Sequence, residues 1–171
     1  MHVYEFSVPI FRHSLRSLSG LLRKGAAFAE ERRTPPMVLL EMRLAPKMFP
    51  LGEQIRAVSY HALAATANLI GETPPEFEKG YKSLPELLAE IDTTLTQLNA
   101  LKVSQFEGAA TRVITLELRR GRVRLDGQHY LAHFALPNFF FHLTTAYDIL
   151  RHCGVAVGKA DFLGDLSGMA P

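Results

Sequence analysis

Three groups of residues in this 171-residue chain have types and spacings that can support chemistry. His129 and His133 stand four residues apart in HYLAH, so a helix would place two imidazoles one turn apart, as a shared metal ion requires. No HExxH pattern accompanies them and no third ligand is evident. The sequence therefore predicts an exposed His129 near a helix start and a packed His133. Asn138 and His142 have the same spacing just past Pro137, on a face shared with Thr145 and Ile149. Gln54 lies in the inward seam of an earlier helix, between Leu51 and Val58. Polar groups inside a helical core must be hydrogen-bonded, because an unsatisfied one costs about 1–3 kcal/mol. Gln54, Asn138 and His142 read either as a structural network that fixes helix register or as a ligand pocket. In the pocket reading His142 serves as donor, acceptor or base. Pro137 favours the pocket, since it deprives the carbonyl of His133 of its usual partner.

Cys153 is the third candidate. It falls in the last turn of its helix, where the negative end of the dipole disfavours a thiolate, so nucleophilic catalysis is not expected of it. The chain has no GxSxG elbow, phosphate loop or dinucleotide glycine motif. An arginine-rich segment, Arg119 to Arg124, reads as a solvated strand face rather than a site for an anionic partner.

These residues need a scaffold. Phe11, Leu15, Leu18, Leu22 and Ala29 recur at helical steps, which predicts an amphipathic helix to about Glu31, capped by the Ser7 hydroxyl before Pro9. A short helix is expected over 36–43. Prolines then force a crossover in which Met48 and Phe49 plug one end of the core. Leu51, Ile55, Val58, Ala62, Ala65 and Leu69 give the cleanest helical seam, ended by Gly71. A polar loop, 72–82, leads to Ser83 and Glu86 as a capping box. The helix that follows has Leu84, Leu88, Ile91, Leu95 and Leu98 as its inner face. Residues 112–125 alternate with period two and predict a hairpin turning at Arg120-Gly121. That turn sets Leu118 against Val123, Leu116 against Leu125 and Glu117 against Arg124. The last helix starts at Asp126 or Gly127, bends at Pro137 and ends at Gly154. The tail, 155–171, has no helical period and is expected to drape over the molecule and fray. Four long helices, one short crossover helix and a small hairpin make an all-α four-helix bundle the expected fold.

The totals fit one domain. The chain is 47% hydrophobic and 21% charged, as ordinary globular proteins are. A formal charge of +2 and the lack of a long basic run predict no nucleic-acid partner. One cysteine excludes an internal disulfide and a cysteine-based zinc site, and it fits a cytoplasmic setting. No signal peptide and no membrane span are expected.

LAPKMFPL (44–51) and HFALPNFFFHLTTAYDILRHCGV (133–155) resemble the signatures of a bacterial domain-of-unknown-function family within the DinB/YfiT-like metalloenzyme superfamily. The resemblance runs from SVPIF to GKADFLG. It implies a DinB-like bundle, a homodimer and a site fed by the second and fourth long helices. Metal-binding proteins of that type take one histidine from the second long helix and two, at i and i+4, from the fourth. Here His142 falls at one fourth-helix position, Asn138 at the other, and Gln54 at the second-helix position. Amides are poor ligands for zinc or nickel. The resemblance thus supports the cavity, while the residues argue for no metal and no cofactor. His61, two helical turns from Gln54, is a fallback ligand. Three readings follow. One is a metal-independent small-ligand binder or enzyme with a pocket at Gln54, Asn138 and His142, where His142 acts as general base. Another is a metal-dependent thiol transferase or hydrolase. The last is a non-catalytic interaction protein whose polar trio is closed off.

Overall fold

The computed structural model describes residues 2–81 and 83–167. Lys82, taken as the end of the polar loop, and residues 168–171, where the tail was expected to fray, lie outside the described residues. Among the described residues the chain is mostly helical, with one two-stranded antiparallel sheet. Among the described residues, no helix is long and apolar enough to cross a membrane.

Helix α1 (Val8–Glu31) buries Phe11, Leu15, Leu18, Leu22 and Ala29 as the spacing requires, with Leu21 beside them. Ser7 does not cap it. Its hydroxyl donates back to Val3 O at 2.8 Å. Proline at the second helical position removes one of the two N–H groups a cap can serve, and Val8 N is already bonded to Tyr4 O. Helix α2 (Pro36–Leu40) stops three residues short of Arg43. There the chain turns into the crossover, where Met42 O takes Leu51 N at 2.8 Å and Arg43 reaches Met48 O. Met48 and Phe49 are half-buried at the core's edge, and neither plugs it.

Helix α3 (Leu51–Ile70) is the axis of the fold and packs on α1, α4 and the last helix. All six residues of its expected seam are buried, and Gly71 ends it with φ 83°. Helix α4 (Leu84–Ala100) begins where Ser83 Oγ accepts Glu86 N at 3.2 Å. Its buried seam is Leu84, Leu87, Ile91, Thr94 and Leu98, so the inner face is rotated from the expected one. Leu88 and Leu95 sit half-buried on the flank. Thr94 tolerates the interior because its hydroxyl donates to Glu90 O at 2.9 Å.

Strands β1 (Val113–Leu118) and β2 (Gly121–Asp126) form the hairpin with a corrected register. The turn is Arg119-Arg120. Leu118 meets Gly121, Leu116 meets Val123 and Glu117 meets Arg122, with a 2.6 Å ion pair between the last two. Moving a two-residue turn by one position shifts partners by two, so the apolar face is kept. The positive φ that the connection needs, 120°, falls on Gly121 just after the turn. The arginine-bearing strand is exposed, as expected.

The last helical run is α5 (Gly127–Tyr130), a π-helical turn (Leu131–Ala135) and α6 (Leu136–His152). Asp126 caps it by accepting His129 N at 2.8 Å. The wide turn comes immediately before Pro137, which has no N–H to give the preceding turn. Gly154 ends the run with φ 91°. The tail is not free of helix: α7 (Lys159–Leu163) packs against α1. Asp161 explains it, accepting Gly158 N at 2.8 Å and pairing with Lys24 at 2.6 Å, while Phe162 meets Tyr147 edge to face.

Candidate functional site

Helices α3 and α6 lie side by side, and the 4–3 step that builds their apolar seam also brings their polar residues together. His142 Nδ1 lies 2.7 Å from Gln54 Oε1. Gln54 is 1% exposed, and its Nε2 donates to Phe49 O at 3.1 Å. The backbone carbonyl fixes which way the amide points, so its oxygen faces the imidazole. A neutral His142 must then carry its proton on Nδ1, and Nε2 keeps the lone pair. This assignment follows from the hydrogen bonds, since ring protons are inferred from partners. Burial lowers the His142 pKa to about 4, so the ring is neutral at physiological pH.

His61 is drawn into the same site. Its ring stacks on His142 with centroids 5.1 Å apart and planes at 14°. Burial, and next the charge His142 would carry, hold its pKa at about 4. Three further rings close a circuit. Tyr60 meets His61 at 5.1 Å, Phe77 meets Tyr60 at 5.2 Å, and Phe49 stacks on both Phe77 and His142. Sequence patterning placed none of these three in the site. Phe49 and Phe77 precede or leave the helices and have no period to mark them. Tyr60 carried one legible signal, its adjacency to His61.

Asn138 stands apart. Its Nδ2 donates to Phe134 O at 2.7 Å, on its own helical run beside the π turn. The carbonyl that receives a side chain here is therefore Phe134's, one residue past the His133 carbonyl singled out from Pro137. The trio thus resolves into a bonded pair, Gln54 and His142, and an amide that patches its own helix. A cavity of about 280 Å3, lined by Arg56, Ser59 and Tyr60 of α3, is not lined by Gln54, Asn138 or His142.

The arrangement does not fit a three-imidazole metal site. It supplies two imidazoles, and the Gln54 oxygen accepts a proton from one of them. Among the described residues, no group of three His, Cys, Asp or Glu residues could hold a metal ion. His129 and His133 do stack, at 5.8 Å, but both are exposed, contrary to the packing expected of His133. His129 Nδ1 is taken by Asp126 at 2.8 Å. Cys153 is half-buried at the end of α6, and burial raises its thiol pKa, which agrees with a thiol that is not activated.

Comparison with known proteins bears on the family and the fold. The model of a domain of unknown function, DUF1993, matches residues 3–163. A solved structure, that of a DinB family member protein from Shewanella denitrificans, is 36% identical, with a TM-score of 0.90. The match covers 99% of this chain and 96% of that one. No curated protein sequence matches the chain.

Proposed function

Because this chain belongs to the DUF1993 family and resembles a DinB family member over nearly its whole length, we propose that it is a DinB-type four-helix bundle that binds or transforms a small molecule at His142, without a metal. The observation that carries this reading is the Gln54–His142 hydrogen bond with the amide itself locked by Phe49 O. A neutral imidazole held in one tautomer, with Nε2 bare, is what a hydrogen-bond acceptor for a ligand needs, while a pKa held down at about 4 leaves it a weak general base. The ring does not rotate freely, because Gln54 holds one edge and His61 and Phe49 stack on it. Phe141, 54% exposed, meets the His142 ring edge-on.

The metal-dependent thiol transferase or hydrolase is the second reading, and the His61–His142 juxtaposition favours it. It needs a third ligand beyond these two. The homodimer is proposed with the fold, on the family resemblance, and sedimentation would measure it. The non-catalytic interaction protein is the outcome left if the pair binds nothing.

The test combines metal analysis by mass spectrometry with a thermal-shift screen of small metabolites, on wild type and on His142→Ala. The expected result is metal-free protein, with one or more stabilising compounds that lose their effect in the variant. Stoichiometric metal that disappears in His142→Ala would overturn the metal-independent reading. Hits that persist unchanged in the variant would move the function away from His142.

A further inference from the structure

The cavity of about 280 Å3 between α3, α4 and the loop 72–81 is separate from the His142 pair. Arg56, Ser59 and Tyr60 line it from α3, and Glu90, Thr94 and Gln97 from α4. Both helices reach it at steps of three and four, so each gives it one continuous face. The loop closes the third side and is fastened down. Gly80 N donates to Glu53 Oε1 at 2.7 Å, and Arg56 Nη1 donates to Gly80 O. Tyr81 OH donates to Glu41 Oε1 at 2.8 Å, tying the end of the loop to the chain after α2.

Ser59 is the telling residue. It is 2% exposed, and its buried Oγ has no hydrogen-bond partner. Hydroxyls elsewhere on these two helices turn back to the carbonyl four residues earlier, as those of Thr66, Thr93 and Thr94 do. Ser59 does not, and it is one of the residues that line the cavity. A buried hydroxyl left without a partner is a group awaiting one. The charges around it indicate the partner's sign. The lining holds three carboxylates, Glu76, Glu78 and Glu90, and one cation, Arg56. Arg56 is charge-paired, with Nε 3.0 Å from Glu90 Oε2 although that N–H makes no hydrogen bond there, and Nη1 reaches Gly80 O. Glu76 and Glu78 remain to draw a positive group, and the rings of Tyr60 and Phe77, 5.2 Å apart, offer the faces that organic cations favour.

We propose that this cavity binds a small aliphatic diamine. Its ammonium donates to Ser59 Oγ, and a second positive group is held at the loop by Glu76 and Glu78. Calorimetric titration of the whole chain with putrescine at low salt tests this, with succinate as an anion of similar length. Saturable binding of putrescine, weakened by added salt, is expected, with none of succinate. Ser59→Ala should fold with an unchanged or higher melting temperature and bind roughly tenfold more weakly, the loss of one charge-assisted hydrogen bond. Glu76→Gln combined with Glu78→Gln should weaken binding independently. His142→Ala should bind putrescine like wild type, which separates this site from the one above. The proposal is overturned by preference for succinate, by no saturable putrescine binding, or by Ser59→Ala binding as wild type does. A lower melting temperature in Ser59→Ala would also overturn it, by showing that the hydroxyl already has a partner.

Discussion

Tyr60 and His61 meet edge to face, with ring centroids 5.1 Å apart and planes at 69°, and between them they divide α3 into two working faces. His61 looks towards α6 with Gln54, where His142 is held. Tyr60 looks towards α4 with Arg56 and Ser59, where the cavity lies. One helix turn places adjacent residues about 100° apart, so neighbours in sequence serve different neighbours in space. The aromatic circuit through Phe77 and Phe49 joins the two faces physically.

Gln54→Ala tests the pair at its hidden end. The variant strands the Nδ1–H of a largely buried His142, which should cost about 1–3 kcal/mol. It also frees the ring to exchange tautomers. Nitrogen NMR of the wild-type imidazole should show a protonated Nδ1 and a bare Nε2, and in the variant the two signals should move towards averaging. A wild-type spectrum with the proton on Nε2 would sink the tautomer assignment.

The rotated seam of α4 predicts a contrast between neighbours. Leu87 is fully buried, so Leu87→Ala should lose about 2–5 kcal/mol of stability in urea denaturation. Leu88 is only half-buried on the flank, and Leu88→Ala should lose clearly less. Equal losses would restore the face read from leucine spacing alone.

That contrast shows where patterning reaches its limit. Both Leu84–Leu88–Ile91 and Leu84–Leu87–Ile91 are helical steps, so period alone cannot choose between them. The choice came from Thr94, a polar residue that can be buried because Glu90 O satisfies its hydroxyl. Helix α3 was legible because six residues keep one unbroken seam, and Leu63, off that seam, has no leucine partners to make a rival one. The hairpin kept its faces but lost its register, since turn position changes partners by two and leaves alternation intact. In the site, the Gln54–His142 contact was legible from two inward polar positions on helices expected to pack. Asn138 was misread because it shares His142's spacing, and spacing does not reveal that its amide serves its own helix. The cavity at Ser59 was invisible, because a lone serine on an alanine-rich helix gives no signal until its missing partner is seen.

Gly127 should tolerate no side chain. A Cβ there would lie 1.9 Å from Ala109 O, a backbone atom that cannot swing away. The hairpin returns to the final helix at this point, with Gln128 N bonded to Ala110 O at 3.1 Å. Gly127→Ala should therefore destabilise by about 1–3 kcal/mol or more, as overpacking does, despite alanine's better helix propensity. Thermal unfolding measures it, and a neutral or stabilising result would mean that the junction is looser than this contact requires.

The two site histidines make stability depend on pH in a defined direction. In the unfolded chain they titrate at the ordinary imidazole value of about 6.5, while in the folded chain burial holds both at about 4. Between those values the unfolded state binds protons that the folded state refuses. Their contribution is fully present above the unfolded pKa and is lost as pH falls through the window towards the folded one. Unfolding in mid-window should take up about two protons from this pair, and the slope of stability against pH should reflect both. Urea midpoints measured across the window should fall steadily with acid. In His61→Gln the slope should drop by roughly half, since one of the two titrating groups is gone and His142 keeps its Gln54 partner. A flat profile in wild type, or an unchanged slope in the variant, would show that these imidazoles are not held neutral by burial between α3 and α6.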